Sequence, residues 1–402
     1  MSLGSIADDN NILIAATVGS HVGGTRAVSR PSANNTKPKD ACVTTSQMGM
    51  QPSGDPVKDQ EQLQTFLDNI ATDGIEGLIE EGHWLAYKKL DLHDGTRLSG
   101  QGMERTIIEA RTEDWRQDNY VLMHLNVDRT LHHHGVFLKD FCLIGADKEA
   151  THNGPLIRLE GMSDFLLERI LAVDASSYSF YITGYGVGNF TNDIHSDFWN
   201  STHRGIIRQC RALRGFIGIG CEGGAQNVLI MGNHTDGQVL HGFRLASAYD
   251  TQLIANSAVN TRNGYWIDRH RGIHVLYNTA SNVEQGCAYG GFHQTDDGEI
   301  STGLWIMGNQ FKTSRSGITD AYQGTSDKFT RMVKIKDNYL LGGGIRLLWS
   351  RQIDVQSNDG DGSNAIVTSH KVSGMIGNNY MRLMNRSPDV VDIGRNMTPP
   401  SA

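Results

Sequence analysis

Val228-Leu229-Ile230-Met231-Gly232-Asn233 and Thr251-Gln252-Leu253-Ile254-Ala255-Asn256 are two copies of one short pattern. It returns as Ile273-His274-Val275-Leu276-Tyr277-Asn278, Leu304-Trp305-Ile306-Met307-Gly308-Asn309, Val333-Lys334-Ile335-Lys336-Asp337-Asn338 and Ile353-Asp354-Val355-Gln356-Ser357-Asn358. A seventh copy ends Ser373-Gly374-Met375-Ile376-Gly377-Asn378. Three residues before each asparagine the chain is always apolar, and five before it is mostly apolar or β-branched. An apolar residue at every second position makes a strand with one buried face. Recurrence of that strand every 20 to 31 residues makes a stacked array.

The asparagine has a physical reason to recur. At a tight corner its amide bonds equivalent groups on the coils above and below, and asparagine tolerates the left-handed backbone such corners use. A second strand follows each corner, opening at Gly215, Gly242, Gly264, Gly286, Gly317 and Gly344. The next residue (Phe216, Phe243, Tyr265, Cys287, Ile318, Ile345) is expected to face inward. The one after it (Ile217, Arg244, Trp266, Ala288, Thr319, Arg346) is expected to face outward. Coils at 136–144, 165–173 and 206–213 continue the pattern less regularly.

These observations predict an all-β chain, one single-stranded right-handed parallel β-helix of about ten coils. A solenoid of this kind grows along one axis, so 402 residues need not divide into several globular domains. Residues 1–54, rich in Ser, Thr, Asn, Gly and Ala, read as a flexible arm. The solenoid is expected over 55–385, followed by a tail, 386–402. At its start Asp55 can cap a helix, Pro56 suits the first helical position, and Leu63, Phe66, Leu67 and Ile70 form one apolar stripe. Such a helix must cover something, and the open end of the first coil needs covering.

The stretch Asp94-Gly95-Thr96-Arg97-Leu98-Ser99-Gly100-Gln101-Gly102, continuing to Thr106-Ile107-Ile108, resembles the opening coil of pectate-lyase-like β-helices. That superfamily includes pectin-degrading enzymes, phage tailspikes and fructan-cleaving enzymes. Leu138-Lys139-Asp140-Phe141-Cys142-Leu143-Ile144-Gly145, with His152-Asn153-Gly154, is faintly similar to the fructan-cleaving group. The resemblance implies a polysaccharide substrate, a homotrimer like the tailspikes, and a place in a virion tail or outside the cell. It covers roughly residues 55 to 385, as architecture, and is not specific to one activity.

Composition narrows the partners. With 36 basic and 44 acidic residues, the net charge of −8 disfavours a nucleic-acid binder. No apolar run approaches the ~20 residues of a membrane span. No basic region precedes Ile12-Leu13-Ile14-Ala15-Ala16, so no signal peptide is read there. Cys42, Cys142, Cys210, Cys221 and Cys287 contain no CxxC and read as buried free thiols. Neither a cofactor nor a metal is expected. His132-His133-His134 would point to opposite faces of a strand, and Asn358-Asp359-Gly360-Asp361-Gly362 reads as an acidic turn.

The site is expected where coils lengthen. Residues 183–204, 290–303 and 321–331 are insertions after the second strand, so stacking puts all three on one side, walling a groove. Sugars suit aromatic platforms and bidentate polar side chains. Trp266, Arg244 and Arg269 are the expected binders, with Tyr185, His195 and Trp199 from the first insertion. For hydrolysis, Asp268 would pair with Asp296, Asp297 or Glu299, or with Asp193. A uronate lyase would instead use His270, Arg269, Arg244 and Tyr185. Hydrolysis is preferred because the loops hold more carboxylates than bases; a fructan-cleaving transferase and a non-catalytic glycan binder remain open. Each residue also has a plainer use. Asp268-Arg269 suits a corner ion pair, Asp296-Asp297-Gly298 a turn, and Trp266 a subunit interface. Finally, Leu229, Met231, Ile254, Leu276, Trp305 and Met307 lie on the outward side of the first strand. A free rod should not expose such a stripe, so a terminal segment or other subunits are expected to cover it.

Overall fold

The computed structural model describes residues 42–111, 122–125, 133–145, 154–184, 202–290, 301–321, 329–361, 365–369, 371–384, 387–394 and 396. The apolar alternation does form strands, but three per coil rather than two. Sheet I holds the strands before the asparagines, such as Gln226–Met231, Thr302–Met307 and Ile353–Gln356. Sheet II holds very short strands just after them, His234–Asp236 and Ser257–Val259 among them. Three residues are too few to show a period, which is why the sequence hides this sheet. Sheet III holds the glycine-led strands, including Tyr178–Thr183, Ile217–Glu222 and His241–Tyr249. Asn263–Leu276 runs from sheet III into sheet I without a break. Every strand pairs in parallel with its equivalent on the next coil.

The corner amides form a buried ladder. In each rung the side-chain amide of one asparagine donates to the Oδ1 of the next: Asn233 to Asn256, Asn256 to Asn278, Asn278 to Asn309, Asn309 to Asn338, Asn338 to Asn358. The backbone N–H of the donor residue bonds the same oxygen. The last expected rung is one residue out of place. Asn358 bonds Asn379, not Asn378, and Asn379 reaches Asn396. Ile376 is therefore the core residue, and Met375 is 44% exposed.

The slip has a cause. The left-handed residue is the one before the ladder asparagine: Ala255, Tyr277, Asp337, Ser357 and Asn378 all have φ between 52° and 57°. Asn378 holds that bend while Asn379 makes the bonds. The two tasks assigned to one asparagine belong to neighbours.

The helix Pro56–Asp73 is capped by the Asp55 carboxylate, which accepts from the N–H groups of Val57 and Lys58, and it ends at left-handed Gly74. Leu63, Phe66, Leu67 and Ile70 are buried against the first coil. Within the expected arm, Cys42–Thr44 is a strand paired with Glu76–Ile79. Within the expected tail, Val390–Asp392 pairs with Gly374–Gly377. Cys142, Cys210, Cys221 and Cys287 are buried free thiols, and Cys42 is exposed. On the outer side of sheet I, Met231, Ile254, Leu276 and Met307 stand in register on four consecutive coils, between Arg208 and Lys336.

Candidate functional site

Sheet III presents two outward columns near its middle. Register places Arg158, Tyr181, Gly220, Arg244, Trp266 and Ala288 in one. The other holds Glu160, Thr183, Glu222, Ala246 and Asp268. The second column lies beside a corner. The residues following Glu160, Glu222, Ala246 and Asp268 are Gly161, Gly223, Ser247 and Arg269, all left-handed. An arginine in that conformation is strained by roughly 1–2 kcal/mol.

Glu222 is the centre of the arrangement. It is 7% exposed. The Tyr178 hydroxyl donates to its Oε1 at 2.6 Å, and Arg244 Nη1 donates to the Tyr178 oxygen at 2.7 Å. Arg244 Nε also lies 3.3 Å from Glu222 Oε1. Gly220 makes this meeting possible, because a Cβ there would come within 2.6 Å of the Tyr178 ring. Burial pushes the Glu222 carboxyl above its ordinary value. Arg244 and the Tyr178 hydroxyl pull against the rise, and the charge of Asp268 adds to it. Burial likewise holds Tyr178 in its protonated, donating form.

Asp268 is 5% exposed and sits two coils beyond Glu222. Two strand spacings put their backbones about 9.6 Å apart. Trp266 stands next to Arg244, as the alignment requires, and its ring stacks on His241 at 5.1 Å. Arg269 is half-buried at the corner. His270 is misplaced by the sequence reading. It is 3% exposed, in register with the core residue Ala248, and burial lowers its pKa to about 3. The left-handed bend at Arg269 breaks the alternation, so His270 turns inward as a neutral ring rather than standing in the groove as a base.

Asp193, His195, Trp199, Tyr185, Asp296, Asp297 and Glu299 lie outside the described residues. The roots of their insertions are described: Gly184 and Gly290 both follow sheet III strands, and Thr202 and Ser301 both precede sheet I strands. Sequence reading missed Glu222, Tyr178, Tyr181, Glu160 and Arg158. It opened one coil at Gly215-Phe216, whereas Gly218-Ile219 is the pair in register with Gly242-Phe243.

Several solved structures share the architecture. The mannuronan C-5 epimerase AlgE6 A-module of Azotobacter vinelandii superposes with a TM-score of 0.66 at 15% identity, covering 89% of this chain and all of that one. The Thermotoga maritima exopolygalacturonase gives 0.55 at 14%, covering 88% and 92%. The chain folds as a right-handed parallel β-helix. PfbA, a surface adhesin of Streptococcus pneumoniae, has the same fold, with a TM-score of 0.54 at 12% identity over 83% and 92% of the two chains. No family model and no curated protein sequence matches this β-helix.

Proposed function

We propose that this β-helix is a carbohydrate-active enzyme that lays a polysaccharide along the outer face of sheet III and hydrolyses a glycosidic bond between Glu222 and Asp268. One observation carries the reading: a buried carboxylate with a raised pKa shares an outward column with a second carboxylate, beside an arginine and a tryptophan. Glu222, protonated, is the general acid that gives its proton to the leaving oxygen. Asp268 is the base that activates water from the other side. The backbones stand about 9.6 Å apart, so side chains that lean toward each other bring the carboxyls within the range of about 6.5–9.5 Å for an inverting pair. Arg244 and Tyr178 hold the acid in place, and Trp266 offers a platform for a sugar ring.

The printed names of the epimerase and the exopolygalacturonase support a polysaccharide substrate and differ in reaction. The apolar column on sheet I supports self-association, and a tailspike-like trimer is the assembly we favour. The reading is tested by assaying Glu222→Gln and Asp268→Asn on a glycan panel, with reducing-end release and binding measured separately. Each variant is expected to lose about 10³-fold or more in turnover while still binding. A wild type that binds but releases nothing from any glycan would replace the enzyme with a non-catalytic glycan binder. Unsaturated products absorbing in the ultraviolet would replace hydrolysis with a lyase reaction.

A further inference from the structure

A cleft of about 360 Å³ runs along sheet III from His241 and Trp266 to Arg346. Along the column that contains Trp266, the next coils place Ala288, Thr319 and then Arg346. Of that column Trp266, Thr319 and Arg346 line the cleft, while Ala288 is fully buried. Trp266 walls one end. Its stacking partner His241 is itself fixed by a 3.1 Å contact between its Nδ1 and the Asn263 amide nitrogen.

The charges of the cleft are unequal in their freedom. Arg262 faces Glu284 at 3.7 Å. Asp320 is buried, and its Oδ2 accepts from the Trp349 N–H at 2.7 Å and the Ser350 hydroxyl at 2.8 Å. Arg315 and Arg346 are exposed and, among the described residues, neither has an ion-pair partner. Arg315 and Arg346 thus line one cleft with their charges uncommitted, and guanidinium groups suit carboxylates. The Glu222–Asp268 column is the opposite. There Arg158 and Arg244 are already committed to Glu160 and Glu222, so that column offers an anionic sugar no uncommitted guanidinium of this kind.

We infer that this cleft is a subsite for an acidic sugar unit, whose anionic group lies on Arg315 and Arg346 while the ring of the neighbouring unit lies on Trp266. The inference rests on the cleavage reading above and names its substrate class: an acidic heteropolysaccharide, cut at a neutral unit upstream of the acidic one.

The test uses the full chain carrying Glu222→Gln, so that no probe is consumed. Calorimetric titrations compare trisaccharides that differ only in carboxylate against hydroxymethyl: trigalacturonate with galactotriose, trimannuronate with mannotriose, triglucuronate with glucotriose. At least one uronate is expected to bind tenfold or more tighter than its neutral partner. Adding Arg315→Ala and Arg346→Ala should reduce that preference below twofold, and raising salt from about 50 to 500 mM should weaken the uronate alone. Equal binding within every pair, a preference that survives both arginine replacements, or no binding by any probe would each overturn the subsite. The wild-type turnover assay is read separately, so hydrolysis without uronate preference sinks only this inference. Uronate preference without any hydrolysis sinks only the cleavage reading.

Discussion

Replacing Asn278 with alanine removes a middle rung of the ladder, and the structure gives the cost. Its Oδ1 accepts from the Asn256 backbone N–H at 2.8 Å and from Asn256 Nδ2 at 3.0 Å. Its Nδ2 donates to the Leu253 carbonyl at 2.8 Å and to Asn309 Oδ1 at 3.1 Å. All four bonds are buried. At about 1 kcal/mol net for each, the loss is roughly 4 kcal/mol, and stranding the Asn256 N–H in the interior adds about 1 more. A solenoid can open in segments, so a single unfolding midpoint is a poor gauge. Native-state hydrogen exchange at the Asn256 amide reads the site directly. Its protection is expected to fall by between three and four orders of magnitude, since about 1.36 kcal/mol is tenfold. Asn396→Ala, at the end of the ladder with longer contacts of 3.4 and 3.2 Å, should cost only about 1 kcal/mol. If Asn278→Ala lowers protection less than tenfold, or costs no more than Asn396→Ala, the ladder is an ornament of the corner rather than its fastening.

Four other outcomes are expected. Ala255→Gly relieves a left-handed alanine at φ 52° and should stabilise the chain by about 0.5–1 kcal/mol in urea unfolding, after the entropy cost of glycine. His270→Leu should change the response to acid. The folded ring has a pKa of about 3 against an ordinary 6.5, so the unfolded chain takes up a proton first and stability is lost as pH falls from 6.5 towards 3. Between pH 7 and 5 the wild type should lose about 2 kcal/mol relative to the leucine variant, measured as the difference between their unfolding curves. Gly220→Ala drives a methyl into the Tyr178 ring and breaks the Tyr178–Glu222 bond; turnover should fall at least tenfold. The alkaline limb of its rate profile should move to higher pH, because that bond lowers the pKa of the acid. Ile254→Lys puts a charge in the middle of the apolar column on sheet I; under the self-association proposed above, sedimentation should show a smaller species than for the wild type.

The fold was legible because its signal is long-range and repeated. Seven copies of a strand with a polar corner leave little choice of architecture. The capping helix was legible down to Asp55 and its four buried apolar residues, since helix caps and stripes are local chemistry. Sheet II was not, because a strand of three residues, such as Ser257–Val259, exposes one or two side chains to the core and shows no alternation. The Asn378–Asn379 slip has the same origin. Two adjacent asparagines suit the bend and the bond equally well on paper, and only burial of one and exposure of the other separates them.

Of the proposed site, Arg244, Trp266 and Asp268 were named from the sequence and Glu222 was not, and the difference turns on three residues of register. Aligning Gly218-Ile219-Gly220-Cys221-Glu222 with Gly242-Phe243-Arg244-Leu245-Ala246 and Gly264-Tyr265-Trp266-Ile267-Asp268 puts three core residues, Cys221, Leu245 and Ile267, in one column. It puts Glu222 and Asp268 in the next. Starting at Gly215 instead satisfies the glycine and supplies an aromatic, Phe216, but sends the buried Ile217 to the outside. The core residue two positions before the corner was therefore the better guide than the glycine itself. Glycine at a coil opening is permissive of many registers, whereas a cysteine or leucine that must be dry permits one. In a solenoid, the residues that do chemistry are found by first deciding which neighbours cannot face water.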